Sequence, residues 1–269
     1  MGGLGAPTTL HRGIEAALRH VRLVVALSLA SVVALAWLYL WRQAASMHAG
    51  NDASMAMAMP PMPAMDPAAL ALTFVMWVVM MVGMMLPSAA PTVLFYGAMV
   101  RKHVERGTVF PAVWVFVSGY LIVWAGFSFA AALLQAGLEH AALLTPRMAS
   151  GSNRLNGVLL VAAGVYQLTP LKDLCLSKCR NPVQFFMTHW RPGTAGALRM
   201  GIAQGAYCLG CCWMLMLLLF AVGVMNLAWV ALIAAFVFLE KLLPGGRLTS
   251  RLAGAALIVV GLAILVVAA

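Results

Sequence analysis

No charged side chain occurs between Leu23 and Trp41, Pro67 and Tyr96, Pro111 and Gly137, Leu155 and Leu171, Gly201 and Val224, Leu227 and Leu239, or Leu252 and Ala269. Stretches this apolar suit a bilayer, where each backbone N–H and C=O must be satisfied inside the protein and a helix does so within one segment. Composition points the same way: 64% hydrophobic and 9% charged residues, with a mean hydropathy of +0.96, against about a quarter charged in a soluble domain. A soluble globular domain is excluded. The expected fold is all-α, a polytopic transmembrane helix bundle of about seven spans. The formal net charge of +10 does not imply nucleic acid, because the basic residues lie between the apolar stretches rather than along one face.

Those basic residues orient the chain. If seven spans alternate, all of the 17 Lys+Arg except Arg42, Arg147 and Arg154 fall on one side. The positive-inside rule then makes the N-terminus cytoplasmic and sends the C-terminus outward. The expected organisation is a basic cytoplasmic tail at 1–22, a first transmembrane helix at 23–41, a Met-rich periplasmic linker at 42–66, and a six-helix core at 67–269 with a cytoplasmic Cys loop at 172–200. The first apolar run exceeds the core of about 7–15 residues of a secretory signal and is read as an uncleaved anchor.

Sulfur is the second theme. Three of the five cysteines, Cys208, Cys211 and Cys212, sit within the apolar run Gly205-Ala-Tyr-Cys-Leu-Gly-Cys-Cys-Trp213. At about 100° per residue they share one helical face with Gly201, Gly205 and Met216, and small residues at four-residue spacing let another helix approach. In the second span Met76, Met80, Gly83, Met84, Pro87 and Pro91 form one stripe. The two prolines free carbonyls that neighbouring helices must satisfy, so this stripe should face inward. Met81 and Met85 fall off it and read as packing. Cys175 and Cys179 share a face if their loop is helical, where Lys172, Lys178 and Arg180 would favour the metal-binding thiolate. His189, in an amphipathic aromatic segment, is a weaker candidate ligand. The linker offers Met47-His48, Met55, Met57, Met59, Met62 and Met65 among Pro60, Pro61 and Pro63.

Thioethers and thiolates select soft metals, so the expected cargo is Cu(I), with zinc the weaker candidate because thioethers bind it poorly. The candidate metal residues are Cys208, Cys211, Cys212, Cys175, Cys179, Met76, Met80, Met84, Met216 and His189. Counting from Gly201, Cys208 lies about 10 Å along its helix at 1.5 Å per residue, in the inner half. The order is then methionines outside, methionines mid-membrane, cysteines in the inner half, and the Cys175 pair at the cytosolic mouth. Methionine stripes and buried cysteines also serve as plain packing, and clustering is what favours a ligand role here.

Absences narrow the mechanism. The spans carry no ionisable residue of the kind that proton-coupled carriers place at mid-membrane, and Glu240 and Lys241 are expected at an edge. No phosphate-binding loop and no HExxH occurs, so an enzyme is not the favoured class. The alternative is a membrane thiol-disulfide oxidoreductase using the Cys208/Cys211 pair, since CxxC serves metal and redox chemistry alike. Cysteines facing the cytosol count against it.

Three motifs carry a family resemblance: Met84-Met85-Leu86-Pro87-Ser88; Leu168-Thr169-Pro170-Leu171-Lys172 with Cys175, Cys179 and Arg180-Asn181-Pro182; and Cys208-Leu209-Gly210-Cys211-Cys212-Trp213. In this order they resemble the bacterial predicted metal-binding integral membrane proteins, a family without an assigned activity, from about Ala68 onward. The resemblance implies a multi-pass protein of the bacterial inner membrane that binds a metal. Its expected partners are the lipid bilayer, a soft metal ion and a periplasmic or cytosolic metallochaperone, and not nucleic acid.

Overall fold

The computed structural model describes residues 9–49, 66–103, 109–141, 151–243 and 245–268. The methionines and prolines from Met55 to Met65 lie outside the described residues. All regular structure among those described is helical: α1 (Thr9–Ala49), α2 (Pro67–His103), α3 (Val109–His140), α4 (Asn153–Gln167), α5 (Pro170–Arg180), α6 (Pro182–His189), α7 (Gly193–Leu217), α8 (Leu219–Val222), α9 (Leu227–Leu242) and α10 (Gly246–Val267). Among the described residues, five helical stretches are long and apolar enough to cross a membrane, and a sixth is added if α4 and α5, bent by 64°, count as one. The expected seven falls short because α9 has only 16 residues.

Local chemistry explains the bend. Pro170 has no N–H to continue α4 and fits the first turn of a new helix. Thr169 caps that helix, its side chain accepting from the Lys172 N–H at 3.4 Å. Pro182 opens α6 in the same position. In α2, Pro87 leaves the Gly83 carbonyl without an i+4 donor, and Trp37 Nε1 of α1 donates to it at 3.3 Å. A neighbouring helix therefore satisfies the freed carbonyl, as the proline spacing requires.

Close approach at glycine sets the packing. A Cβ on Gly201 would collide with the Phe116 carbonyl oxygen and lie 3.1 Å from Gly119 Cα, and Gly205 faces the Tyr120 carbonyl at 3.0 Å. Matching positions rise together along both helices, so α3 and α7 run parallel with their backbones in contact. Likewise, a Cβ on Gly164 of α4 would stand 2.6 Å from the Gly254 carbonyl of α10. Helix α2 packs antiparallel to α3, with Trp77 Nε1 donating to Gln135 Oε1 at 2.8 Å near one end. Tyr96 stacks on Phe116 near the other, their rings 4.6 Å apart. On α1, Val25, Leu29, Ala36, Leu40 and Ala44 are buried along one stripe, while Leu23, Leu27, Leu35 and Trp41 stay more than half exposed, at 57–68%.

Gly201→Val should cost about 1–3 kcal/mol by overpacking, because backbone atoms cannot move aside as a side chain can. Gly126→Ala, with nothing within 4 Å, should be neutral or stabilising by up to about 1 kcal/mol. Thermal unfolding of both variants in detergent checks this; equal melting temperatures would refute the close-contact account.

Candidate functional site

Cys208, Cys211 and Cys212 are each 1% exposed on the α7 face turned toward α2, α3, α5 and α9. Helical geometry lets the Cys211 and Cys212 thiols donate back to one acceptor, the Cys208 carbonyl, each at 3.0 Å. Cys212 Sγ also lies 3.8 Å from Met85 Sδ. Cys208 Sγ is the hub. Tyr120 Oη of α3 is 3.0 Å away, and Lys241 Nζ of α9 donates to it at 3.0 Å. Lys241 also donates to Ser88 Oγ at 2.9 Å. The Ser88 and Tyr120 hydroxyls in turn donate to the Met85 carbonyl, at 2.8 and 3.2 Å. Thus α2, α3, α7 and α9 converge on one sulfur atom and one main-chain oxygen.

Helix α5 completes the cluster. Cys179 is buried beside Cys208 and Cys211. Cys175 sits over Gly210, where an added Cβ would stand 2.8 Å from Cys175 Sγ. The glycine inside the CxxC is what lets α5 settle on α7. Tyr166 of α4 donates its hydroxyl to the Gly210 carbonyl and so pins the same point.

Several sequence expectations change. The Cys175 pair is not at a separate mouth: α5 folds against α7 and joins the other three cysteines in one cluster. Because α7 begins at Gly193, Cys208 lies about 22 Å along it, near the middle of the apolar stretch Gly193–Val222. The methionine against the cysteines is Met85, which lies outside the chosen stripe. Met76, Met80 and Met84 are buried, with Met76 and Met80 about 13 and 7 Å along α2 from Met85. Met216 is fully buried one turn beyond Cys212. His189 stacks on Phe185, ring centres 4.8 Å apart, and its Nδ1 is taken by Thr188 Oγ1 at 2.8 Å and the Phe185 carbonyl at 3.2 Å.

The largest departure concerns charge. Glu240 and Lys241, placed at an edge by sequence, are interior residues with 0% and 8% exposure. Glu240 Oε1 pairs with Lys172 Nζ at 2.6 Å, both side chains fully buried, and Lys172 also donates to Gln167. Lys172 is therefore not a cation for the Cys175 pair, and Arg180 instead donates to the Leu243 carbonyl. The cation at the thiols is Lys241. Its sequence signal was the pairing of two opposite charges at the end of an otherwise uncharged helix.

Among the described residues, no three His, Cys, Asp or Glu side chains are arranged so that they could hold a metal by themselves. All five cysteines are free thiols, and the additional sulfur beside them is a thioether, so the chemistry on offer is soft and mixed: thiolate with methionine sulfur.

Removing one partner of the buried ion pair should strand a charge. Glu240→Ala is expected to cost about 3–5 kcal/mol, and Lys172→Met with Glu240→Leu to recover most of it. Thermal unfolding of the single and double variants measures this; a double variant as unstable as the single would refute it.

The family described as "PpoB2: Copper chaperone" matches residues 74–264. No curated protein and no solved structure matches the chain. The matched segment runs from Phe74 in α2 into α10 and holds all five cysteines, Met85 and Lys241, and the chain belongs to the PpoB2 copper chaperone family.

Proposed function

We propose that this protein is a membrane-embedded chaperone that receives Cu(I) on Cys208 and Cys212 with help from Met85, and passes it on by ligand exchange. The observation that carries this reading is the 3.8 Å approach of Cys212 Sγ to Met85 Sδ, beside a Cys208 thiol contacted by a lysine ammonium. Thiolates are the ligating form, thioethers need no deprotonation, and two thiolates with one thioether form a low-coordinate sulfur set suited to a monovalent soft ion. Family membership supports copper as the cargo.

The remaining sulfurs then act as exchange partners. Met80, Met76 and Met216 line the interior on the side of Met85 and Cys212 that leads to the Trp77 and Phe220 rings, 5.2 Å apart. Copper would enter past these weaker thioethers. Cys211, Cys179 and the partly buried Cys175 offer successive thiols toward α5, and an associative exchange needs such a neighbour within reach at each step. On the opposite face of α5, away from these thiols, a cleft of about 290 Å³ is lined by Asp173, Ser177, Arg180, Asn181 and Arg247. In this reading the apolar outer faces of α1 and α10 contact lipid in a multi-pass arrangement with the N-terminus cytoplasmic, and the Met-rich linker collects metal outside. His189, its Nδ1 engaged within α6, is not assigned to this ligand set.

The test is anaerobic Cu(I) titration in detergent against a chromophoric chelator. The wild type should bind one Cu(I) per chain. Cys208→Ser and Cys212→Ser should each weaken it about 100-fold or more, and Met85→Leu about 10-fold, one to two steps of about 1.4 kcal/mol. Met76→Leu and Met80→Leu should slow loading without changing affinity, and His189→Ala should change neither. A wild type that takes up no copper, with Cys208 and Cys211 cycling as a reversible disulfide, would overturn the reading in favour of an oxidoreductase.

A further inference from the structure

Three charged side chains are buried among the described residues: Lys172, Glu240 and Lys241. The first two cancel in their 2.6 Å ion pair. Lys241 has no carboxylate partner; the ion pairs among the described residues are Lys172 with Glu240 and Arg247 with Asp173. Its two acceptors are a neutral hydroxyl, Ser88 Oγ at 2.9 Å, and Cys208 Sγ at 3.0 Å. The interior thus carries one positive charge in excess, and that charge is aimed at the thiol cluster.

The ammonium is also held in place. Ser88 is locked by its own bond to the Met85 carbonyl, and Tyr120 ties that carbonyl to Cys208. Three helices therefore fix Lys241 Nζ relative to Cys208 and Met85. A fixed charge in a weakly polar interior acts over several ångströms with little screening, so it acts on whatever ion the thiols hold.

We infer that Lys241 determines the metal selectivity of this site: it makes a monovalent ion on two thiolates electroneutral and a divalent ion net positive. The inference rests on the proposed copper reading of Cys208 and Cys212. Two thiolates contribute two negative charges, and Cu(I) with the Lys241 ammonium contributes two positive ones, so the sum is zero. With Zn(II) in the same place one positive charge remains uncompensated, and burying a net charge is heavily penalised. The protein would thereby disfavour the commoner divalent ion by charge, in addition to the poor affinity of the Met85 thioether for it. Lys241 is a specificity-determining residue in this account and not a ligand.

Competition titrations of Cu(I) and Zn(II) on the wild type, Lys241→Met and Lys241→Arg, each purified in detergent under anaerobic conditions, decide the matter. The neutral methionine variant should lose about 100-fold of the Cu(I)-over-Zn(II) preference, the size expected of one unit charge a few ångströms away, with Zn(II) binding strengthened in absolute terms. The arginine variant should keep the preference to within about tenfold. Lys241→Gln, which retains a donor for Ser88, replaces the methionine variant if that one does not purify as a monodisperse helical protein. An unchanged preference in the neutral variant overturns the inference, and so does a loss of both metals alike, which would mark Lys241 as structural. A wild type that binds no Cu(I) overturns instead the copper reading beneath it.

Discussion

The contact between α3 and α7 is the constraint on which the site depends. Gly119 and Gly201 bring the two backbones together with no side chain between them. Only at that separation does Tyr120, one residue past Gly119, reach both the Cys208 thiol and the Met85 carbonyl. A wider spacing would break the Tyr120 bridge between α2 and α7 and leave the 3.8 Å approach of Met85 to Cys212 tied only through Lys241, between Ser88 and Cys208. The sulfur cluster is thus a product of helix spacing, set by residues that carry no chemistry of their own.

Much of this was legible in the chain. Periodicity identified the inward face of α7, where Cys208, Cys211, Cys212 and Met216 are all buried, but the α2 stripe only in part: Met76, Met80, Gly83 and Met84 are buried, Pro87 is half-buried and Pro91 exposed, while Met81 and Met85 beside the stripe are buried as well. The need of the Pro87-freed carbonyl for an outside donor was also readable, since it follows from backbone geometry. What periodicity could not supply was register between helices. Met85 rather than Met84 meets Cys212 because α2 is rotated and slid against α7 by contacts at Tyr120 and Ser88, and those are properties of pairs of helices. The position of Cys175 and Cys179 was hidden for the same reason. Their segment looked like a polar loop, and only the Thr169-Pro170 cap, the 64° bend and the notch at Gly210 turn it into a helix packed on the cysteines.

The buried charges show a different limit of sequence reading. A hydropathy scan places Glu240 and Lys241 outside the apolar run of α9, because they follow it. In the fold, one face of the last turn of α9 packs beside the bend between α4 and α5, while Leu239 and Leu242 on the other stay exposed. Its last turn therefore delivers charge to the interior, with Glu240 turned to Lys172 and Lys241 to Cys208. The ion pair satisfies Glu240 Oε1, while Glu240 Oε2 is buried without a hydrogen-bond partner.

The segment matched by the family begins at Phe74 and so excludes α1. Yet Trp37 of α1 supplies the donor for Gly83, whose carbonyl Pro87 has deprived of its helical partner. That carbonyl lies one residue before Met84 and two before Met85. The first helix is therefore a splint for the proline-interrupted turn that carries the thioether to Cys212. The copper-handling core borrows a hydrogen bond from outside its own boundaries, and excising that core at the family limits would leave an open backbone acceptor next to the sulfur site.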